Sequence, residues 1–234
     1  MNNKDKFVNF SLSINNLDIW FVRKSIKDAL LVALPTFKDN FLDVGCGKMP
    51  YKSLIISENK VKKYIGLDIE AARDYGGDKA DIFWINEKIP LENNSIDSAM
   101  ATEVLEHCPY PQNVLNEISR VLKPDAAFFM TVPFLWNLHE VPYDEHRYTP
   151  FALERMLKTA GFSHIEIKAH GGWNASLALM LACWARRYWK NQLLKFGFSL
   201  VLYPFIWLLF KTDKAPTTFD EGQMITGLYA IAKK

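Results

Sequence analysis

The segment from Phe41 to Tyr51 constrains the fold of this 234-residue chain more than any other. It begins as an apolar strand and runs directly into Asp-Val-Gly-Cys-Gly at positions 43–47. Glycine has no Cβ, so the backbone of such a turn can approach a ligand closely. Ligands of open α/β sheets lie at the carboxyl ends of the strands, so we expect a ligand site at this turn. The residues concerned are Asp43, Gly45, Cys46 and Gly47.

A second apolar strand, near positions 64–69, ends in Asp68. Asp68 follows Gly45 by 23 positions. This is close to the spacing of about 20 residues at which a carboxylate meets the ribose hydroxyls of a nucleotide in a parallel α/β fold. We therefore predict that Asp68, with Ile69 beside it, contacts the ribose of an adenosine-containing cofactor.

The glycine turn also indicates which cofactors fit poorly. Pro50 occupies the third position of the dinucleotide pattern G-x-G-x-x-G, where a glycine would let the helix approach a pyrophosphate. The turn also lacks the G-x-x-x-x-G-K-[ST] pattern of a nucleoside-triphosphate loop. A cofactor without phosphate groups is therefore favoured, and a nicotinamide-dependent dehydrogenase is the less favoured alternative.

Segments 42–47 and 66–68 resemble the first two motifs of the class I S-adenosylmethionine (SAM)-dependent methyltransferases. The resemblance continues to about Ile167, and it implies SAM as the cofactor and methyl transfer as the activity. One departure is Asp125-Ala126, where the family usually has two glycines, and we expect a turn there.

The resemblance also implies roles for residues at the following strand ends. Asp81 and Ile82 would meet the adenine, with Asp78 as the alternative to Asp81. The end of the next strand would lie beside the cofactor, and the residues concerned there are Thr102, Glu103 and His107.

Strand and helix signals alternate along the chain, which predicts an α/β fold. Strands are predicted near 41–44, 63–67, 80–84, 97–102 and 127–132, and helices near 17–34, 50–57 and 111–122. Thr149, Pro150 and Gly161 mark the start and end of a further helix. We expect a single methyltransferase domain over 1–234, with a Rossmann-like parallel sheet, an antiparallel last strand and helices on both faces.

A long insertion separates the two strands predicted at 163–168 and 225–232, with about 55 residues where a short connection is usual. This predicted insertion, 171–222, carries two apolar helical runs with Trp, Tyr, Lys and Arg at their borders. The second run is shorter than the ~20 apolar residues of a bilayer span and contains Pro204. We expect a helical hairpin that meets a membrane interface through 175–210. The alternative is a lid or dimer face that is covered by protein.

The segment 138–149, just after the fifth strand, is the predicted substrate side of the sheet. Methyl transfer to oxygen benefits from a base near the acceptor hydroxyl, and His139 and His146 are the candidates, with Asp144 to orient either one. Arg147 would bind an anionic or hydroxyl-rich substrate. The alternative is that Asp144, His146 and Arg147 brace the helix that follows.

The pattern of 138–149 also resembles methyltransferases of bacterial surface-glycan biosynthesis. This resemblance implies a sugar hydroxyl on a surface or lipid-linked glycan as the acceptor. A quinone or lipid acceptor is the alternative substrate class. A non-catalytic SAM-binding or membrane-docking subunit is the alternative to an enzyme.

The composition excludes some partners. A net charge of +2 gives no reason to expect nucleic acid. The five histidines and three cysteines show no metal-ligand spacing, so no metal is expected, and the odd cysteine count suits a reducing compartment. Residues 1–6 lack the apolar core of a secretion signal, which predicts a cytoplasmic protein, peripheral on the inner face of the membrane if the hairpin meets lipid. The sequence predicts no oligomeric state.

Overall fold

A computed structural model describes residues 11–57, 60–69 and 79–234. Seven strands of the described residues form one sheet: β1 (Asp39–Val44), β2 (Val61–Asp68), β3 (Ile82–Phe83), β4 (Ile96–Thr102), β5 (Leu122–Pro133), β6 (Ser163–His170) and β7 (Gly227–Lys233). The strand order across the sheet is β3-β2-β1-β4-β5-β7-β6. The described α-helices are α1 (Leu17–Ala33), α2 (Lys52–Ser57), α3 (Pro111–Val121), α4 (Pro150–Thr159), α5 (Trp173–Cys183) and α6 (Gln192–Thr212).

The pairing of the strands confirms the predicted fold class. Strands β3, β2, β1, β4 and β5 pair in parallel. The last strand runs against β5, since the N–H of Asp125 donates to the carbonyl of Lys234 and the N–H of Phe134 donates to that of Thr226. All residues of β4 but the last are buried, as expected for a central strand with protein on both of its faces.

Backbone contacts divide the chain into two compact units. The first comprises Met1–Asp28, Pro133–Asn137 and Lys168–Leu228. The second comprises Ala29–Val132, Leu138–Ile167 and Tyr229–Lys234. The glycine turn and the predicted substrate segment both belong to the second unit, whose core is rich in aromatic side chains. Its largest fully buried side chains include Phe37, Phe41, Phe128 and Phe129.

The first unit contains the predicted apolar hairpin, formed by α5, a π-helical turn (Trp184–Tyr188) and α6. Alanines of α5 are fully buried and allow close packing against α6, where Ile206 and Phe210 are buried. The ring of Phe210 stacks on that of Phe21 at 4.8 Å. Much of the outer face of α6 is exposed, and Leu193 and Val201 are 81% and 72% exposed.

Helix α6 is longer than its sequence predicted. It runs for 21 residues through Pro204, and of the described helices it is the one long and apolar enough to cross a membrane, by length and composition alone. The predicted apolar run is the inner part of this helix, so the helix is longer than the run on which the expectation of no bilayer span was based. Only 17% of its most apolar stretch is buried, so α6 is not a buried core helix.

Local signals placed most elements well, with one error. The side chain of Thr149 caps α4 by accepting from the N–H of Ala152, and Gly161 follows the helix with φ of 89°. The turn expected at Asp125-Ala126 is wrong, because both residues lie within β5. Asp125 has φ of 61°, and the register of β4 against β5 shifts at this level, which is a bulge in a continuous strand.

Candidate active site

The turn after β1 is fixed by β2. The N–H groups of Gly45 and Cys46 both donate to the carbonyl of Leu67, at 2.8 and 3.1 Å. Gly45 and Gly47 have φ of 66° and 48°, in the left-handed region. A Cβ on Gly45 would lie 2.5 Å from Cγ2 of Val104, whereas a Cβ on Gly47 would meet nothing within 4 Å. Gly45 is thus required by packing, and Gly47 leaves open space through which a ligand can approach the backbone.

Asp43 supports this turn from within the protein. Its side chain is buried, and the hydroxyl of Tyr64 donates a short hydrogen bond to its Oδ2. Burial raises the pKa of Asp43 to about 7, although the bond from Tyr64 works in the opposite direction. The structure therefore places Asp43 as a buried brace of the strand end.

Asp68 links the end of β2 to the glycine turn. Its Oδ2 accepts from the N–H of Gly47 at 2.9 Å, and its Oδ1 accepts from the N–H of Ile69 at 2.8 Å. The carboxylate is half-buried, and each oxygen has a second lone pair with which to accept a hydroxyl. The carboxylate that is predicted to bind the ribose is thus held in place by the backbone of the glycine turn.

Asp81 and Cys46 have structural contacts as well. Oδ2 of Asp81 accepts from the N–H of Gly66 at 2.7 Å, and the N–H of Asp81 donates to the carbonyl of Gly66, so Asp81 fixes the entry to β3. Ile82 follows, half-buried. The thiol of Cys46 is buried beside Gly66. Only the backbone of Cys46 is therefore available to a ligand at the turn. Asp78 lies outside the described residues.

Glu103 follows Thr102, the last residue of β4, and has φ of 54°. Its N–H donates to Thr131, whose hydroxyl donates back to Oε1 of Glu103 at 2.8 Å. Burial raises the pKa of Glu103 to about 7, and the bond from Thr131 partly opposes this. Thr131 on the neighbouring strand was not predicted, because nothing in its local sequence marks it.

Glu106 carries a buried carboxyl group at the start of the segment after β4. Its side chain is 0% exposed, and neither carboxylate oxygen has a hydrogen-bond partner among the described residues. Burial first, and then the charge of Glu103, raise its pKa well above the usual range. Its backbone carbonyl accepts from the N–H groups of Glu145 and His146, which ties the short 3-10 helix Leu105–His107 to the predicted substrate segment.

Two imidazoles face this carboxylate. Nε2 of His107 lies 3.7 Å and Nε2 of His139 lies 4.0 Å from Oε1 of Glu106. The two rings are 4.7 Å apart at an angle of 69°. Burial, followed by the charge of His139, lowers the pKa of His107. The expectation that the histidines form no metal-type cluster came from their spacing in sequence, whereas the fold brings Glu106, His107 and His139 together.

Asp144 holds His139 in position. Its Oδ2 lies 3.1 Å from Nδ1 of His139 and also accepts from the backbone N–H of that residue. Arg147 donates from both terminal nitrogens to Asp144, at 2.6 and 2.9 Å, and these bonds hold the pKa of Asp144 well below its usual range. The guanidinium thus positions Asp144, as in the bracing alternative. His146 lies apart, with its ring 5.8 Å from that of Tyr148 and its Nε2 without a hydrogen-bond partner within the described ranges.

A family model described as a methyltransferase domain matches residues 21–167. Because this match covers more than half of the sequence, the chain belongs to the methyltransferase-domain family. The chain therefore contains a methyltransferase domain, and the dehydrogenase alternative does not apply.

Individual relatives are distant. An uncharacterized protein of Methanocaldococcus jannaschii is 30% identical over 118 residues, which are 50% of this chain and 42% of that protein. The match therefore spans less than half of the length of this curated relative. A SAM-dependent methyltransferase from Archaeoglobus fulgidus has 19% identity and a TM-score of 0.57, over 93% of this chain and 100% of that one. Phosphoethanolamine N-methyltransferase 2 of Haemonchus contortus, in complex with phosphomonomethylethanolamine and S-adenosylhomocysteine, has 14% identity and a TM-score of 0.55, over 100% of this chain and 61% of that one. At these identities the likeness to the two solved structures concerns the fold.

The residues of the glycine turn fit SAM. The open space at Gly47 admits a ligand against the backbone, and no pyrophosphate has to be accommodated beside Pro50. The carboxylate of Asp68 stands at the adjacent strand end with lone pairs to spare. When bound, SAM supplies a methyl group that its sulfonium charge makes electrophilic.

Proposed function

We propose that this methyltransferase acts on a hydroxyl oxygen of a sugar, carried on a surface or lipid-linked glycan. The observation that carries the proposal is the polar cluster after β4, in which Glu103, Glu106 and the two imidazoles lie together. Burial raises the pKa of both Glu103 and Glu106. The guanidinium of Arg147 is already bound to Asp144, so the described residues of the cluster offer an anion no unpaired guanidinium. Such a site disfavours a carboxylate or phosphate group and suits an uncharged acceptor that donates hydrogen bonds.

Within this site we propose that His139, rather than His146, orients the acceptor hydroxyl. Asp144 fixes Nδ1 of His139, so its Nε2 points into the cluster. Arg147 acts one step further away, since it positions Asp144. The acceptor oxygen takes the methyl group of SAM as the bond from that carbon to sulfur breaks, and its proton passes to water. The task of these side chains is to hold the hydroxyl in a defined orientation.

Membrane contact through the hairpin, segment 175–210, supports a lipid-linked acceptor on the cytoplasmic side of a membrane. One face of α6 is covered by protein through Ile206 and Phe210, and the opposite face exposes large apolar side chains. Lys195 and Lys211 stand near the two ends of the helix. A helix covered on one side and apolar on the other suits an interface position better than a span.

The acceptor is tested by methyl transfer from radiolabelled SAM to three substrate fractions: lipid-linked glycans, quinols and phospholipids. We expect label in the glycan fraction at a sugar oxygen, which mass spectrometry of the released sugar would locate. His139→Asn is expected to lower kcat at least 100-fold while the affinity for S-adenosylhomocysteine stays within twofold. His146→Asn serves as the comparison and is expected to change kcat less than tenfold. Label confined to quinols or phospholipids would contradict the glycan acceptor, and equal effects of the two variants would contradict the assignment of His139.

Membrane contact is tested separately by flotation with vesicles of phosphatidylethanolamine and phosphatidylglycerol. The wild type is expected to float, and Val201→Glu with Phe205→Glu is expected to abolish flotation. Both side chains are exposed, so the variant should keep its fold. Glu154→Lys, an exposed change in the second unit, is the control. Failure of the wild type to float would contradict lipid contact. Resistance of the membrane-bound protein to carbonate extraction would show that α6 spans the bilayer and does not lie in the interface.

A further inference from the structure

Three side chains of the second unit converge with the atoms that bind metals. The nearest ligand atoms of Glu106, His107 and His139 all lie within 4.8 Å of one another. Nitrogen ligands bind zinc at about 2.0–2.1 Å, so neighbouring ligands of one ion lie roughly 3–3.5 Å apart. The two Nε2 atoms are 3.7 and 4.0 Å from Oε1 of Glu106. Contraction by about 1 Å per side chain would bring them onto one ion.

The hydrogen bonds of the two rings leave the ligand nitrogens available. Nδ1 of His107 lies 3.2 Å from the carbonyl oxygen of Tyr143, which can only accept, so this Nδ1 carries a hydrogen. Nδ1 of His139 faces Asp144. The two bonds from Arg147 keep this carboxylate ionised, so it accepts a hydrogen bond from Nδ1 of His139. In the neutral ring the lone pair therefore belongs to Nε2. Metal-binding histidines are commonly oriented in this way, by a carboxylate or a backbone carbonyl on the other nitrogen.

Ion pairs between Glu106 and the two imidazoles do not explain the distances between these side chains. Imidazolium N–H groups that donated to Glu106 would lie about 2.7–3.2 Å from its oxygens, as hydrogen bonds require. The observed separations are longer, and both oxygens of a fully buried carboxylate lack a donor among the described residues. Buried carboxyl oxygens that have lost their water and have no donor are costly, and a metal ion would give them a partner.

We propose that Glu106, His107 and His139 bind a divalent first-row transition metal ion, such as Zn²⁺, Mn²⁺ or Co²⁺. Two imidazoles and one carboxylate suit these ions better than Mg²⁺ or Ca²⁺, which prefer oxygen ligands alone. Three protein ligands leave coordination positions open for a substrate oxygen.

The role of this ion rests on the proposed function of the site. An acceptor hydroxyl bound to the ion would lose its proton to water more readily, because a divalent ion stabilises the alkoxide. The alkoxide oxygen then takes the methyl group: the O–C bond forms, the bond from that carbon to the sulfonium sulfur breaks, and the sulfur keeps the electron pair. His139 then serves as a ligand that positions the acceptor, consistent with its assignment above.

Metal binding is tested directly on tag-free protein that has been stripped with EDTA. Titration with Co²⁺ is followed by its visible absorption, and Zn²⁺ is then added as the competitor. We expect saturation at one equivalent of Co²⁺ and loss of the absorption on addition of Zn²⁺. Glu106→Gln and His139→Asn are expected to weaken Co²⁺ binding at least 100-fold, and Asp144→Asn about 10- to 100-fold through the orientation of His139.

Two controls separate metal binding from folding. His164→Asn changes an exposed histidine with φ of 46°, a conformation that asparagine tolerates, and is expected to leave Co²⁺ affinity unchanged. Glu106→Gln keeps the size of a buried side chain whose oxygens have no hydrogen-bond partner among the described residues, so its metal-free melting temperature is expected to stay close to or above that of the wild type. Its melting temperature should no longer rise when Zn²⁺ is added, whereas that of the wild type should rise by several degrees.

The outcomes distinguish the metal site from the proposed function. Folded wild type that takes up no Co²⁺, or equal affinities in wild type and Glu106→Gln, would overturn the metal site even if the protein methylates a glycan. Co²⁺ binding together with methylation of quinols alone would overturn the acceptor and keep the metal site. Methylation of glycan at an undiminished rate in EDTA would overturn the role of the ion in activating the hydroxyl.

Discussion

The glycine turn and the cluster of Glu106, His107 and His139 lie in the same unit, yet their polar groups are satisfied in opposite ways. At the turn, Asp43 receives the hydroxyl of Tyr64, and Asp68 receives two backbone N–H groups. In the cluster, the carboxylate of Glu106 is buried and receives no hydrogen bond from any described residue.

This difference teaches which part of the site is complete without its ligand. The turn is held by bonds within the protein, so changes there should affect the fold and cofactor binding together. The cluster is held around its edge, by Asp144 and by the carbonyl of Tyr143, and its centre lacks a partner. Changes at its centre should therefore affect ligand binding with little cost to the fold.

The largest expected effect on the turn side is that of Asp68→Ala. It removes the predicted acceptor of two ribose hydroxyls and the acceptor of the Gly47 N–H, so calorimetry should show at least 100-fold weaker binding of S-adenosylhomocysteine, or about 3 kcal/mol. Asp68→Asn keeps one oxygen for the N–H of Gly47 and should lose only about tenfold. Unchanged affinity in Asp68→Ala would contradict the ribose contact, and equal losses in both variants would assign the effect to charge rather than to the loop anchor.

Gly45→Ala and Gly47→Ala form a matched pair on the same turn. Both place a Cβ at positive φ, which costs about 1 kcal/mol, and only the Cβ on Gly45 meets Val104 at 2.5 Å. Urea unfolding should show a loss of about 2–3 kcal/mol for Gly45→Ala and about 1 kcal/mol for Gly47→Ala. Gly47→Ala should nevertheless bind S-adenosylhomocysteine more than tenfold more weakly, because its new methyl group occupies the open space. Equal losses of stability would show that Val104 yields without cost.

Stability should also depend on pH through Asp43. Its pKa is 3.8 in an ordinary environment and about 7 in the folded protein, so between these values the folded state binds the extra proton. The free energy of unfolding therefore falls as pH rises through this window, by on the order of 2 kcal/mol between pH 5 and pH 7. Asp43→Asn removes this titration and keeps an oxygen for the hydroxyl of Tyr64. Urea unfolding of both proteins at the two pH values isolates the effect, and parallel pH profiles would contradict it.

Sequence reasoning reached the turn because its signals are local. Two glycines, the acid before them and the acid at the next strand end occupy fixed positions relative to β1 and β2. The helix that starts at Thr149 was equally predictable, since a cap, a proline and a closing glycine mark it within a dozen residues. The bulge at Asp125 was missed because a residue of positive φ is compatible with either a turn or a bulge, and only the pairing of β4 with β5 decides between them.

The cluster was out of reach for the opposite reason. His139 reaches Glu106 because the carbonyl of Glu106 binds the N–H groups of Glu145 and His146, a contact between segments that no spacing rule describes. The sequence could name His139, Asp144 and Arg147 as a polar group. It could not show that both terminal nitrogens of Arg147 donate to Asp144. One signal was present, the adjacent pair Glu106-His107 directly after a strand end, although a pair of this kind has many structural uses.

The smallest predicted effect is that of changes at the cap of α4. It tests whether the N-terminus of α4 or the Asp144–Arg147 ion pair holds His139 in position. Thr149→Ala removes the side chain that caps α4 and should cost about 1 kcal/mol in urea unfolding. Thr149→Ser keeps the hydroxyl and should cost less than half of that. Because Arg147 binds Asp144 and the carbonyl of His146 ahead of the cap, the affinity of either variant for Co²⁺ should stay within twofold of wild type. A larger loss in Thr149→Ala alone would show that the helix start, and not the ion pair, holds His139 in place.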